Sequence, residues 1–215
     1  MTVSTDLLVV GLILTNIWFL ASSRMRAFMQ GVALQGVLLG LFPILVHAVD
    51  PTFRTFAFGF LTIGIKGVLF PWLFLRALRK VGINREVQPL VGYTTSILTG
   101  CFAFGIACWI SSRLPLDSQP GLSPLVLPVV FLTLFVGLFL VVSRRSALSQ
   151  TAGYLVFENG IYLFGVAFLG EVPLLVELGV LLDAFVALFV MGIAIHQIKS
   201  EFNHIDTVRM SSLRG

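Results

Sequence analysis

Lys66, Glu158 and Asp183 each stand inside a long apolar run, where an ionisable side chain needs a reason. Lys66 sits in Leu61-Thr-Ile-Gly-Ile-Lys-Gly-Val-Leu-Phe, and Glu158 in Tyr154-Leu-Val-Phe-Glu-Asn-Gly-Ile. Asp183 sits in Gly179-Val-Leu-Leu-Asp-Ala-Phe. Each lies about 9–12 residues, or roughly 15 Å of helix, from an end of its run. That is the middle of a hydrocarbon layer about 30 Å thick. Placing Asp or Lys there costs about 2.5–3.5 kcal/mol each. Such residues turn toward the bundle interior and mark proton relays, ion paths or counter-ions. Low-dielectric surroundings favour the neutral forms of acids and amines alike, so protons at such sites can come and go.

Polar neighbours support a relay. Asn159 follows Glu158, and Tyr154 and Tyr162 lie four residues to either side, on the same helical face. These side chains can hold water near the carboxyl group. The alternative is a structural ion pair between Lys66 and one carboxylate. With one lysine and two acids in the set, pairing alone leaves an acid over. Glu177 begins the last apolar run, either as a proton port or as a solvated acid favoured by the helix dipole. His47 and His196 fall at opposite ends of their runs, which rules out joint ligation of one haem iron. Cys101 and Cys108 are separated by about 10 Å along a helix, too far for a disulfide with each other.

The elements that position these residues follow from composition. The 215 residues are 57% hydrophobic and 11% charged. A soluble domain carries about a quarter charged residues. The class expected is all-α, a polytopic membrane protein of about seven transmembrane helices. The runs are Leu7–Ala21, Ala27–Val49, Phe53–Leu75, Leu90–Ser111, Leu125–Val142, Leu148–Leu169 and Leu174–Gln197. The first has no basic flank and no small-residue cleavage site, so it is expected to stay in place. Ser-Gln-Pro-Gly-Leu-Ser-Pro at 118–124 divides the chain. Residues 1–117 form a four-helix part, 125–198 a three-helix part and 199–215 a tail. Pro43, Pro71 and Pro128 are expected to kink spans or free carbonyls. Gly36 and Gly40 form a small-xxx-small pair that lets helices approach.

Loop charge sets the expected orientation. Arg24, Arg26, Arg76, Arg79, Lys80, Arg85, Arg144, Arg145, Lys199, Arg209 and Arg214 fall on one side, against Arg54 and Arg113 on the other. The basic side faces the cytoplasm, which places the N-terminus outside and the C-terminus inside. The formal net charge of +4 is spread over short loops, not gathered on one face, which argues against nucleic acid as a partner. No phosphate-binding glycine loop, zinc motif or nucleophile constellation is present, so no catalysis, cofactor or metal is expected in this chain itself.

The C-terminal third resembles a known family. Arg144-Arg145, Gly153-Tyr-Leu-Val-Phe-Glu158-Asn159-Gly160 and Val176-Glu177-Leu-Gly179-Val-Leu-Leu-Asp183-Ala-Phe are similar to the hydrogenase-4 component E family. Lys66-Gly-Val-Leu-Phe-Pro71 resembles that family's Lys-to-Pro stretch. The last three helices also resemble the K subunit (chain 4L) of respiratory complex I and the C subunit of Mrp-type antiporters. Asp183 stands where the K subunit carries Glu, and Glu158 lies about one helical turn further from the arginine pair.

The resemblance implies a non-catalytic inner-membrane subunit of a bacterial or archaeal group 4 NiFe-hydrogenase or formate hydrogenlyase complex. Glu158, Asp183 and Lys66 would then belong to a midplane proton path, with Glu177 at its outer end. NiFe and iron–sulfur centres would lie in partner subunits. Its neighbours would be antiporter-like subunits and the membrane anchor of the quinone or hydrogenase module. A subunit of an Mrp-type antiporter or another complex I-like oxidoreductase is the alternative. A stand-alone seven-helix transporter is a third reading.

Overall fold

The computed structural model describes residues 2–46, 53–80, 91–114, 122–144 and 147–168, with Gly179 and Gly192 as isolated positions. The regular structure among them is helical throughout. The order is α1 (Thr2–Ala21), α2 (Met25–Val46), α3 (Phe53–Thr62), a π-helical stretch (Ile63–Leu69), α4 (Phe70–Lys80), α5 (Tyr93–Arg113), α6 (Val126–Ser143) and α7 (Ala147–Phe168). α3, the π stretch and α4 run on without a break, so they make one span. As far as they are described, the first six apolar runs of the sequence thus fall on helices. The seventh, Leu174–Gln197, lies outside the described residues, and with it Asp183, Glu177 and His196. His47 lies outside them as well.

Four of these stretches are long and apolar enough to cross a membrane: Met25–Val46, Thr55–Arg76, Tyr93–Arg113 and Val126–Ser143. Thr5–Ala21 is a shorter apolar helix. α7 matches α2 in length, but Gln150, Thr151, Glu158 and Asn159 make it more polar. Large apolar side chains cover the outside, among them Leu7, Phe60, Val68, Leu98, Phe102 and Val142. Such a surface suits lipid and not water. Cys101 and Cys108 are free thiols, as their spacing requires.

Glycines set how closely the helices pack. A Cβ on Gly36 would fall 2.6 Å from the Lys66 carbonyl carbon, and one on Gly40 would meet the Gly59 carbonyl oxygen at 2.6 Å. The small pair on α2 is therefore the seat of the third span. Gly137 of α6 lies against the Phe157 backbone of α7, and Gly160 of α7 against Leu134. α5 is the peripheral helix. It buries Ser96, Gly100 and Ala107, rests Phe104 on the first apolar cluster, and leaves most of its other side chains partly or fully exposed among the described residues.

Pro71 accounts for the π stretch. Proline has no N–H to return to the preceding turn, so carbonyls there lose a partner. The Phe70 N–H bonds the Ile65 oxygen, five residues back, which widens the turn that holds Lys66.

The core divides in two. One cluster joins Phe19, Phe28, Phe74, Leu132, Leu140 and Leu155. The other joins Leu8, Leu12, Phe42, Val126, Val130 and Leu163. The first gathers the end of α1, the start of α2, the end of α4, the end of α6 and the first half of α7. The second gathers the opposite ends of most of the same helices. Arg24, Arg26, Arg76 and Arg144 thus share one end of the bundle, and Arg113 lies at the other. Both clusters draw on helices before and after the 118–124 linker, so the two parts share one core.

Candidate functional site

Between the two apolar clusters lies a layer of polar side chains. Facing pairs fix its depth. Gly11 meets Leu38, and Gly31 meets Phe19, which puts Asn16 of α1 within a turn of Gln35 of α2. Gly36 touches the Lys66 backbone. Gly137 touches Phe157 and Gly160 touches Leu134, which puts Thr133 of α6 within a turn of Glu158 and Asn159 of α7. Helices α1, α2, α6 and α7 and the π stretch therefore each contribute to one level.

Lys66 and Glu158 meet in this layer. The lysine Nζ donates to Glu158 Oε1 at 2.6 Å, and both side chains are buried. The same Nζ reaches Asn159 Oδ1 at 3.3 Å. Asn159 Nδ2 in turn donates to Gln35 Oε1 at 2.9 Å. The amide thus links the ion pair to α2. Tyr162 stands one turn on, with Lys66 Nζ 5.6 Å from its ring centroid. Its hydroxyl shares a 2.9 Å hydrogen bond with Thr62. A charge-assisted bond of this length is among the stronger kinds, and the flanking amides satisfy part of the valence that burial removes from water.

The structure brings Lys66, Glu158, Asn159 and Tyr162 together. Among the described residues the carboxylate that meets Lys66 is that of Glu158. Tyr154 packs against the apolar cluster of Phe19 and Leu132. Asp183 and Glu177 are outside the described residues. Gln35 and Thr62 join the site without having been marked by charge. So does a second pair in the same layer, where Asn16 Nδ2 donates to Thr133 Oγ1 at 2.9 Å. The signal that could have found them is an amide inside an apolar run, as in Thr15-Asn16-Ile17 and Leu34-Gln35-Gly36.

The ion pair offers no ligand cage. Among the described residues no group of three or more His, Cys, Asp or Glu side chains is placed to hold a metal. The arrangement can hold a buried cation–carboxylate pair and pass a proton along its hydrogen bonds.

An all-helical chain with membrane-length apolar helices and a buried Lys–Glu pair is the class that fold and site define. An uncharacterized protein of Mycobacterium tuberculosis is 28% identical to it over 205 residues, covering 95% of this chain and 93% of that protein. Hydrogenase-4 component E of Escherichia coli is 28% identical over 150 residues, covering 70% of this chain and 69% of that protein. The component E of Shigella flexneri matches equally. No family model matches the chain. No solved structure matches it.

Proposed function

We propose that this chain is a membrane subunit of a hydrogenase-type complex, in the role of a hydrogenase-4 component E, and that its polar layer carries protons. The similarity to component E over most of the chain supports the first part. The observation that carries the second is the Lys66–Glu158 pair, held at mid-depth and tied to α2 through Asn159 and Gln35. A pair placed only for stability could be replaced by well-packed apolar residues at no loss. Retaining ionisable groups in the layer is what a proton path requires.

In this reading seven helices cross the cytoplasmic membrane, with the basic ends inside. Glu158 and Asp183 exchange protons across neighbouring helices, Lys66 supplies the counter-charge, and Glu177 serves the outer end. The redox centres belong to other subunits, as do the antiporter-like neighbours.

The test is Glu158→Gln with Asp183→Asn in the assembled complex, reconstituted in sealed vesicles. The amides keep size and polarity but cannot ionise. Assembly and electron transfer at the soluble arm should persist, while proton movement coupled to turnover falls. Undiminished coupled proton movement in the double variant would reduce both acids to structural residues.

A further inference from the structure

Three atoms of the polar layer are buried without a hydrogen-bond partner among the described residues: Asn16 Oδ1, Gln35 Nε2 and Glu158 Oε2. Their own side chains are otherwise engaged. Asn16 Nδ2 is donated to Leu12 and Thr133. Gln35 Oε1 accepts from Asn159. Glu158 Oε1 accepts from Lys66. Turning either amide over would break these bonds, so an exchange of oxygen and nitrogen does not remove the shortfall. All three residues are no more than 3% exposed.

The set is two acceptors and one donor, at one level, on three helices that face a shared interior. A water molecule has two hydrogens to give and lone pairs to receive, and buried waters typically make about three hydrogen bonds to such groups. We propose that one internal water binds here, donating to Asn16 Oδ1 and Glu158 Oε2 and accepting from Gln35 Nε2. This joins the Asn16–Thr133 pair on α1 and α6 to the Lys66–Glu158 pair. Glu158 then has the lysine on one oxygen and water on the other. Its use of that water as a second proton-exchange partner rests on the proton-path reading above; the water site itself does not.

The primary test is a density map of the full chain in its complex, at a resolution that shows ordered waters. A peak within about 3 Å of all three atoms is expected. Direct contact among the three groups, or apolar packing against Glu158 Oε2 with no peak, overturns the site. A double-mutant cycle supplies a second readout. No direct hydrogen bond joins Asn16 to Glu158, so a water between them is the shortest polar route by which Asn16→Leu and Glu158→Gln can couple. Coupling of at least threefold or so in the unfolding constant is expected, and additive effects overturn the bridge. Should Asn16→Leu fail to fold, Asn16→Ala in the same cycle makes the same decision. The two failures are distinguishable. A bound water with proton movement indifferent to Glu158→Gln refutes the path alone. An absent water with sensitive proton movement refutes the bridge alone.

Discussion

Lys66 at mid-depth and Arg144 just past the end of α6 are both withdrawn from water, at 8% and 1% exposure. Lys66 has a carboxylate at 2.6 Å and an asparagine oxygen at 3.3 Å. Arg144 has its Nε and both terminal nitrogens without a hydrogen-bond partner among the described residues. The Arg144 backbone is engaged, its carbonyl accepting from Gln150 Nε2 at 3.0 Å. Burial pushes the Arg144 guanidinium below its ordinary range, and Tyr93 opposes that push. The difference follows from depth. At the centre of a bilayer neither lipid nor water can answer a charge, so the chain must bring the counter-charge itself. At the end of a span, water and headgroups lie close, and the chain need not.

The largest expected effect comes from splitting the central pair. Lys66→Met leaves Glu158 buried and unanswered, which should cost about 3–5 kcal/mol in the stability of the purified chain. Glu158→Lys should be worse than Glu158→Gln, because it sets a second cation beside Lys66. Joint replacement by Lys66→Met and Glu158→Leu should recover most of the loss, since both charges go together. Thermal unfolding in mild detergent reads all of these. A double variant as unstable as the single one would mean that the pair does more than cancel its own burial.

A smaller effect should follow from disturbing how Lys66 is seated. An alanine at Gly36 would press on the Lys66 backbone, and overpacking of this kind costs about 1–3 kcal/mol. Gly64, in the same π stretch, has nothing within 4 Å of such a Cβ among the described residues. Gly64→Ala should therefore stay within about 0.5 kcal/mol of the parent. Equal losses at the two positions would contradict the close approach of α2.

How far these features were legible in the sequence depends on the kind of signal. Lys66 and Glu158 announce themselves as charges in apolar runs. Their pairing does not, because the partners lie 92 residues apart and only helix order brings them together. Gln35, Asn16, Thr62 and Thr133 give weaker notice. Hydroxyl and amide groups in helices often bond their own backbone, as Thr15 does to Leu12 and Thr133 to Val129. The sequence pattern alone does not tell such a residue from one that reaches across. Pro71 marks a disturbed span, but the widening to a π turn depends on the bond from Phe70 to Ile65. The glycine pair Gly36 and Gly40 was visible as a pattern, and its partner became visible only with the third span in place. The first six apolar runs, as far as they are described, translated directly into helices because each is apolar over most of its surface, a signal that survives without knowledge of neighbours.

Arg144 supplies the smallest expected effect and the sharpest test of the contrast with Lys66. If its guanidinium has no counter-charge in the isolated chain, replacing it removes a buried charge without breaking a pair. Arg144→Gln keeps polarity and much of the length while discarding the charge. The purified chain should then change by no more than about 1 kcal/mol, or become more stable. Lys66→Gln under the same conditions should lose stability, because Glu158 remains. The comparison is made in detergent on the chain alone and then in the assembled complex. A loss at Arg144 confined to the complex would place its counter-charge on a neighbour. A loss of several kcal/mol already in the isolated chain would show that the two cations are held in the same way, and the argument from depth would fail.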